Sequence, residues 1–301
     1  MFCKVIAIMG PTASGKSQLA LQLAQEFKGE IISGDSAQVY IGPDIGTAKP
    51  TFQEQNLVAH HLIDIRQLND PFSLADFQKI ASSLIEEISY RQRVPFVVGG
   101  TGLYLRGLLE GYTLVETKPD PKLRESLSNR ELPDLLQELQ ERDPVAYDQV
   151  DRCNKRRVVR ALEIIIQTGR PLSEASKREK PPFEVLKIAP YWERDVLYQR
   201  IDLRLEEMFR SGWLEEVSSL YEQGWEDNLR YLRILGYSEL LNVVKGELSL
   251  NEAKEQIRLS THRFAKRQLT WLKREPNLNY IPAGDGLYDQ ARSKIKKFLE
   301  A

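Results

Sequence analysis

A glycine-rich segment near the amino terminus constrains the fold of this chain more than any other feature. It fits the pattern G-x-x-x-x-G-K-[ST], and it lies between a short apolar run at residues 4–9 and a helical spacing of apolar residues at 17–27. A strand, a loop and a helix in this order are the context in which the pattern binds phosphate. The predicted phosphate-binding residues are Gly10, Pro11, Thr12, Ala13, Ser14, Gly15, Lys16 and Ser17.

The residue types of this loop indicate how it would bind an anion. Glycines let the backbone amides approach phosphate oxygens, and Lys16 adds a positive charge. The Ser17 hydroxyl can hold Mg²⁺, so we expect Mg²⁺ as cofactor with Ser17 as a ligand. The pattern alone does not say which phosphate compound is bound.

A carboxylate near the loop is the other component that the chemistry requires. The apolar run at 94–98 leads into a glycine-rich turn instead of an aspartate, which leaves Asp35 and Asp64 as the available acids. Asp35 is better placed, because the end of the second strand in a βαβ unit lies beside the phosphate loop. Alternatively, Asp35 is a turn or cap residue.

The remaining pattern predicts an α/β fold, a P-loop NTPase-like parallel sheet flanked by helices with an inserted all-helical domain. Further strands are expected at 30–33, 94–98 and 185–189, and Ser73 with Asp76 opens a helix as a capping box. From residue 118 prolines interrupt short polar helices. We therefore predict a catalytic core of 1–117 and 182–301, and a helical insertion at 118–181.

Three long helices are expected in the second half of the chain. They cover 157–168, ended by a glycine at 169, then 195–223, and 251–275.

Charge distribution suggests a polyanionic partner despite a net charge of -1. Residues 152–180 contain nine Lys or Arg and three Asp or Glu, and residues 254–274 contain seven Lys or Arg and one Glu. A single basic window is commonly a solvated helix face, but two make a phosphate backbone a candidate partner.

The amino-acid composition indicates the cellular compartment of the protein. Only two cysteines, Cys3 and Cys153, are present, which excludes a disulfide framework and suits a reducing compartment. No apolar stretch is long enough to cross a bilayer, so we expect no membrane association. A cytoplasmic monomer is the expectation.

Several longer segments resemble one family, the bacterial tRNA dimethylallyltransferases. In order along nearly the whole chain they are GPTASGKS at 10–17, GDSAQVY at 34–40, DIGTAKP at 44–50, HHLID at 60–64, VGGTGLY at 98–104, RVVRALE at 157–163, GY at 236–237 and AKRQLTW at 265–271. The resemblance implies transfer of a dimethylallyl group from dimethylallyl diphosphate to the exocyclic amine of the adenosine immediately 3′ of the anticodon. The loop would then hold the donor's diphosphate.

The resemblance and the chemistry together assign site residues. An adenine amine needs a proton acceptor as its new bond forms, so Asp35 is the predicted general base. The resemblance adds Thr101 in the reaction channel and Arg204 beside the leaving diphosphate as catalytic residues. The tRNA-binding residues that it implies are Asp35, Ser36, Ala37, Gln38, Thr101, Arg156, Arg157 and Arg160, with Tyr237, Arg263 and Arg267 as weaker candidates.

Some of these assignments have simpler alternatives. Arg200 and Arg204 share a helix face, so a surface ion pair with Asp202 or Glu207 would also explain them. The three histidines, His60, His61 and His262, are interpreted as structural, because their spacing does not make a metal site.

Three other functions stay open on sequence grounds. The first is a P-loop kinase that phosphorylates a small metabolite or nucleotide with Asp35 as base. The second is a prenyltransferase that acts on free adenine nucleotides, and the third is a nucleic-acid-binding regulator whose loop binds nucleotide as a switch.

Overall fold

The structure is a computed structural model, and it describes residues 3–111, 120–175 and 181–301. The strands in these ranges are β1 (Cys3–Met9), β2 (Gly29–Ser33), β3 (His60–His61), β4 (Val94–Gly99), β5 (Phe183–Tyr191) and β6 (Leu278–Pro282). The helices are α1 (Lys16–Glu26), α2 (Phe52–Leu57), α3 (Leu74–Tyr90), α4 (Gly102–Leu109), α5 (Pro121–Ser128), α6 (Leu132–Arg142), α7 (Pro144–Gln149), α8 (Lys155–Thr168), α9 (Leu172–Ala175), α10 (Arg194–Arg210), α11 (Trp213–Glu222), α12 (Glu226–Leu232), α13 (Tyr237–Val244), α14 (Leu250–Leu272) and α15 (Leu287–Glu300).

The chain divides into two compact units. The first comprises residues 1–105 and 182–301, and the second comprises 106–181. The predicted boundary between 117 and 118 lies outside the described residues.

The first unit is built on one sheet of six parallel strands in the order β3-β2-β4-β1-β5-β6. Its centre is β1, where Ile6 pairs with Phe96 of β4 and with Leu186 of β5. Residues 5–9 of β1 are fully buried, as expected for a strand covered on both faces. The predicted P-loop NTPase-like α/β fold is confirmed.

Helices cover the two faces of the sheet. Ile6 and Ile8 pack in one apolar cluster with Leu23 of α1 and Ile295 of α15. Side chains alternate along a strand, so the odd-numbered residues of β1 point to the opposite face. Helix α3, whose apolar stripe is buried, packs against β1 and β4 without belonging to that cluster.

The described part of the second unit, residues 106–111 and 120–175, consists of helices joined by short turns and contains no strand. Its core lies between α5, α6, α7 and α8, with Leu135, Leu139 and Leu162 fully buried at its centre. Among the described residues of the whole chain, no helix combines the length and apolarity needed to cross a membrane.

Local signals predicted helix ends well. Ser73 Oγ accepts a hydrogen bond from the Asp76 amide at 3.2 Å, and Asp76 Oδ2 accepts one from the Ser73 amide at 2.8 Å, so the capping box is confirmed. Helix α8 ends at Gly169 in the left-handed conformation, with φ of 64°.

Other boundaries differ from the sequence prediction. The helix expected at 195–223 is wrong as one element, because Gly212 adopts φ of 95° and separates α10 from α11. Strand β6 and helix α15 were not predicted. β6 is only partly buried along its length, which removes the continuous apolar run that marks the central strands.

Close packing of two turns provides a test of the fold. A Cβ on Gly99 would lie 2.3 Å from the Gly34 carbonyl oxygen, a backbone atom that cannot rotate away. We expect Gly99→Ala to lower the free energy of unfolding by about 2–4 kcal/mol in urea denaturation. The control Gly246→Ala, with φ of 75° and open space around it, should cost only about 1 kcal/mol. Equal losses in the two variants would contradict the close approach.

Candidate active site

A cleft of about 1110 Å³ lies in the first unit beside the loops that follow β1, β2 and β4. This is the edge where parallel sheets bind ligands. Helices α10 and α14 supply further walls. The predicted site residues that line the cleft are Thr12, Ala13, Ser14, Gly15, Lys16, Ser17, Asp35, Ser36, Ala37, Gln38, Thr101 and Arg204.

Hydrogen bonds within the phosphate loop hold its shape. The Pro11 carbonyl accepts hydrogen bonds from the Ser14 amide and the Lys16 ammonium group, each at 3.3 Å. Gly10 and Pro11, the first two residues of the loop, are buried. A Cβ on Gly10 would lie 2.6 Å from Ser14 Oγ. Helix α1 follows with Gly15 as its N-cap and no acidic residue in its first turn, which favours an anion there.

Two side chains from outside the loop, Arg200 and Trp192, donate hydrogen bonds to its backbone carbonyls. Arg200 donates from Nε to the Ala13 carbonyl at 3.0 Å and stacks on the Trp192 ring at 4.3 Å. Trp192 in turn donates from Nε1 to the Ser14 carbonyl at 3.0 Å. Asp202 instead bonds His262 at 2.7 Å. Arg200 therefore supports the loop, and the alternative of a surface ion pair with Asp202 does not describe it.

Two partly buried cations, Lys16 and Arg204, line the cleft near each other. The pKa of Lys16 is lowered to about 8, mainly by burial and also by the nearby Arg204, while Asp35 opposes the change. Burial also lowers the pKa of Arg204, again against the attraction of Asp35. Lys16, Arg204 and Asp35, which the sequence predicted as site residues, are thus brought together. Desolvated cations of this kind are stabilised by a bound anion.

The loop that carries Asp35 is fixed by the neighbouring strand. The Gly34 amide donates to the Val98 carbonyl at 2.7 Å, and the Ser36 amide donates to Thr101 Oγ1 at 3.2 Å. Asp35 Oδ1 accepts a hydrogen bond from the Ala37 amide at 2.9 Å. The carboxylate therefore stands at the cleft in a defined orientation, and it closes a turn at the same time.

Gln38 is held by internal contacts. Its Nε2 donates to the carbonyls of Thr47 and Ala48, each at 3.1 Å, and its Oε1 accepts from Ser33 Oγ at 2.9 Å. The amide is thus occupied within the protein even though the side chain lines the cleft. Its predicted contact with tRNA stays a prediction.

Gln268 on α14 is a site residue that sequence reasoning missed. Its Oε1 accepts from the Thr12 amide at 2.9 Å, and its Nε2 donates to the Gly100 carbonyl at 3.0 Å. It is almost fully buried and joins the phosphate loop to the turn before Thr101. The segment at 265–271 was noted in the sequence, but no local pattern shows which of its side chains reaches the loop.

The predicted RNA-binding arginines of α8 belong to the second unit. Arg156 and Arg157 are exposed, and Arg157 lies 3.8 Å from Asp151. Arg160 is partly exposed and donates to the buried Glu163 at 2.8 Å. Arg156 and Arg157 therefore present the more accessible charges.

The other predicted RNA contacts lie in the first unit. Arg263 is exposed, and Arg267 lines the cleft. The weaker prediction for Tyr237 is wrong, because its ring is fully buried and its hydroxyl donates to Glu216 at 2.6 Å.

Potential metal ligands are sparse around the cleft. Within residues 3–111, 120–175 and 181–301, no group of three or more His, Cys, Asp or Glu side chains could hold a metal ion. His61 bonds Glu30 at 2.7 Å, and His60 Nδ1 lies 2.8 Å from the Val58 carbonyl. Ser17 is exposed at the cleft. A cation here would need most of its ligands from a bound phosphate group and water, as Mg²⁺ accepts.

Comparisons with known proteins identify relatives over the whole chain. Residues 38–275 match the family model for IPP transferase. A tRNA dimethylallyltransferase from Thermomicrobium roseum is 45% identical, over 98% of this chain and 91% of its own. The crystal structure of a full-length tRNA isopentenylpyrophosphate transferase from Bacillus halodurans matches with a TM-score of 0.74, at 38% identity over 99% and 97% of the two chains. A eukaryotic dimethylallyltransferase acting on tRNA matches with a TM-score of 0.82, at 30% identity over 97% and 77%.

The lowered pKa of Lys16 predicts a stability change of definite sign. The pKa is about 8 in the fold against 10.5 in the unfolded chain, so the folded state bears a cost at pH 7 that fades as pH rises from about 8 to 10.5. We expect Lys16→Met to raise the free energy of unfolding at pH 7 by about 1–2 kcal/mol, with a smaller gain at pH 9.5, in urea denaturation.

The matched control is Lys79→Met, which removes an exposed charge from α3 and should change stability by less than about 0.5 kcal/mol. A Lys16→Met protein that is less stable than the wild type at pH 7 would refute the electrostatic account of the site.

Proposed function

The chain belongs to the IPP transferase family, and we propose that it transfers a dimethylallyl group from dimethylallyl diphosphate to tRNA. The acceptor is the exocyclic amine of the adenosine immediately 3′ of the anticodon, and diphosphate is released. The observation that carries this proposal is the cleft itself, where Lys16 of the phosphate loop, Arg204 and the Asp35 carboxylate lie close enough to interact electrostatically.

The donor's diphosphate would bind at the phosphate loop. Loop amides and the first turn of α1 donate to its oxygens, and Lys16 and Arg204 balance its charge. Binding favours the protonated form of Lys16 and so raises its lowered pKa. The same groups stabilise the negative charge that develops on the diphosphate as it leaves. In agreement, the sequence has no adjacent pair of aspartates that could hold a diphosphate through Mg²⁺ in another way.

The residues at the loop fit a Mg²⁺–diphosphate complex. Ser17 would contribute its hydroxyl, and the diphosphate and water would supply the other ligands. When bound, Mg²⁺ adds positive charge that helps the diphosphate to leave.

The acceptor amine would react at the Asp35 side of the cleft. Its nitrogen forms a bond to the first carbon of the dimethylallyl group while the bond from that carbon to the diphosphate oxygen breaks. The proton of the amine passes to the Asp35 carboxylate, and the electron pair of the broken bond leaves with the diphosphate. Thr101, which fixes the Ser36 amide, lines the channel between the two substrates.

Access to the base requires that the adenosine leave the stacked anticodon loop. Unstacking costs a few kcal/mol, which contacts in the cleft and to the RNA backbone offset. We propose that residues 35–38 contact the extruded adenine and that Arg156, Arg157 and Arg160 contact the RNA. Action as a cytoplasmic monomer completes the proposal.

The kinase alternative rests on the same loop, but it leaves the family segments unexplained. A kinase for a small metabolite does not need the basic window at 152–180, whereas binding of the tRNA phosphate backbone accounts for it. Turnover of ATP by the protein in the absence of tRNA would establish the kinase.

The role of Asp35 predicts a selective loss of chemistry. We expect Asp35→Asn to reduce transfer of the labelled dimethylallyl group to unmodified tRNA by about 100-fold or more, because the amide cannot accept the proton. Filter binding should show tRNA affinity close to that of the wild type. The control Asp285→Asn, at an exposed loop position, should keep full activity. Normal transfer by Asp35→Asn would remove the general-base assignment.

The exposed arginines of α8 predict a change in salt dependence. For the double variant Arg156→Ala/Arg157→Ala, the plot of log tRNA affinity against log salt concentration should become shallower by about 1–2, because fewer counterions are released. Titrations at four salt concentrations would measure it, with the exposed Lys79→Ala as control. An unchanged slope would place the RNA elsewhere.

A further inference from the structure

An irregular segment, residues 44–49, forms one side of the cleft. Gly46, Thr47, Ala48 and Lys49 all line it. The segment contains neither helix nor strand, and Ala48 adopts a left-handed φ of 50°. Two turn hydrogen bonds lie within the segment, from the Ala48 amide to the Ile45 carbonyl at 3.0 Å and from the Lys49 amide to the Asp44 carbonyl at 3.1 Å. The amides of residues 44–46 take their acceptor from elsewhere in the fold.

Glu216 on α11 supplies that acceptor. Its Oε2 accepts from the amides of Asp44 at 2.8 Å and Ile45 at 2.7 Å, and its Oε1 accepts from the Gly46 amide at 3.5 Å. The Tyr237 hydroxyl donates to the same Oε1 at 2.6 Å. One carboxylate thus binds three consecutive amides and a hydroxyl, and such charge-assisted bonds are stronger than neutral ones.

Aromatic packing places this carboxylate. Trp213 is fully buried against the segment, and a Cβ on Gly46 would lie 2.1 Å from its Nε1. A Cβ on Gly236 would meet the other edge of the same ring at 2.4 Å, which lets Tyr237 lie beside it. We call Trp213, Glu216 and Tyr237 the loop anchor.

Residues 47–49 of the segment are hydrogen-bonded to residues close to Asp35. The Thr47 and Ala48 carbonyls accept the two hydrogen bonds of the Gln38 amide, and Gln38 lies three residues after Asp35. Lys49, whose side chain is buried, donates to the Tyr40 carbonyl at 2.7 Å. The loop anchor is therefore linked to Gln38 and Tyr40 through the hydrogen bonds of residues 44–49.

We propose that Glu216 is a positioning residue for the acceptor: it fixes residues 44–49, and through them Gln38 and the adenine-binding side of the cleft. The assignment rests on the proposed function. Glu216 acts through Gln38 and does not touch the substrates. The phosphate loop is held by other side chains, Gln268, Trp192 and Arg200, so donor binding does not depend on the loop anchor.

The first test separates acceptor positioning from donor binding. In Glu216→Gln, an NH₂ group replaces one of the two oxygens and the charge is lost, so either the Asp44 and Ile45 amides or the Gly46 amide and the Tyr237 hydroxyl lose their acceptor. We expect kcat for transfer to tRNA to fall about 10- to 100-fold, while the Kd for inorganic diphosphate, measured by calorimetry, changes less than about twofold. The matched control Glu222→Gln, exposed on the same helix, should keep wild-type kcat. A folded Glu216→Gln protein with unchanged kcat, or with equal losses in kcat and diphosphate affinity, would overturn the proposal.

The second test measures whether the loop anchor holds residues 44–46, independently of the transfer reaction. Hydrogen exchange at the amides of Asp44, Ile45 and Gly46 should accelerate about tenfold or more in Glu216→Gln, and about threefold in Tyr237→Phe, which removes one hydroxyl and spares the fold. Unchanged exchange in both variants would refute the anchor. If the wild type labels no tRNA, the proposed function fails, and exchange still decides whether Glu216 holds the segment.

A double-mutant cycle tests the route through Gln38. If Glu216 acts through this residue, the loss of kcat in Glu216→Gln/Gln38→Met should be clearly smaller than the product of the two single losses. Losses that multiply would mean that the two side chains act independently, which contradicts the proposal.

Discussion

Burial of two neighbouring cations, Lys16 and Arg204, at the phosphate loop is the constraint on which the surrounding structure depends. Both are cations withdrawn from water, and the pKa of each is lowered in the fold. Such an arrangement costs stability in the absence of an anion, since every unit of lowered pKa corresponds to about 1.4 kcal/mol. The rest of the first unit must therefore offset this cost while it holds the phosphate loop in place, which is a common compromise between stability and function at binding sites.

The support comes from three directions. The central strand β1 delivers the loop from a fully buried core, Arg200 and Trp192 bond its carbonyls, and Gln268 bonds the Thr12 amide. The acceptor side is built in the same way, with Gly34 bonded to β4 and Gln38 bonded to residues 47 and 48. Both halves of the site are irregular loops held at the end of a rigid parallel sheet, as ligand sites in such sheets commonly are.

The sequence was informative where a structure depends on local pattern. The phosphate loop, α1, the capping box of α3 and the end of α8 each follow from residues within one short window. Asp35 could be located because the end of a second strand lies beside such a loop. The break between α10 and α11 was missed because the apolar spacing continues across Gly212, and only its left-handed backbone ends the helix.

Contacts between distant segments could not be read in this way. Tyr237 was taken for a weak RNA contact because it belongs to a family segment, yet the structure buries it beneath the cleft wall. Glu216 has no recognisable motif, and its partners are about 170 positions away in the chain. Helix periodicity shows which face is buried but not which distant backbone a side chain will meet.

The bond between Gln268 and Thr12 spans 256 positions of the chain. The glycine-rich signature is complete within the first seventeen residues, but the side chain that supports its third residue comes from a helix near the other end. Dissection of this enzyme into smaller pieces is limited accordingly: a fragment that stops before α14 retains the whole signature and lacks part of what gives the loop its shape. The smallest piece that contains all of these contacts to the loop is therefore the discontinuous first unit, not the motif.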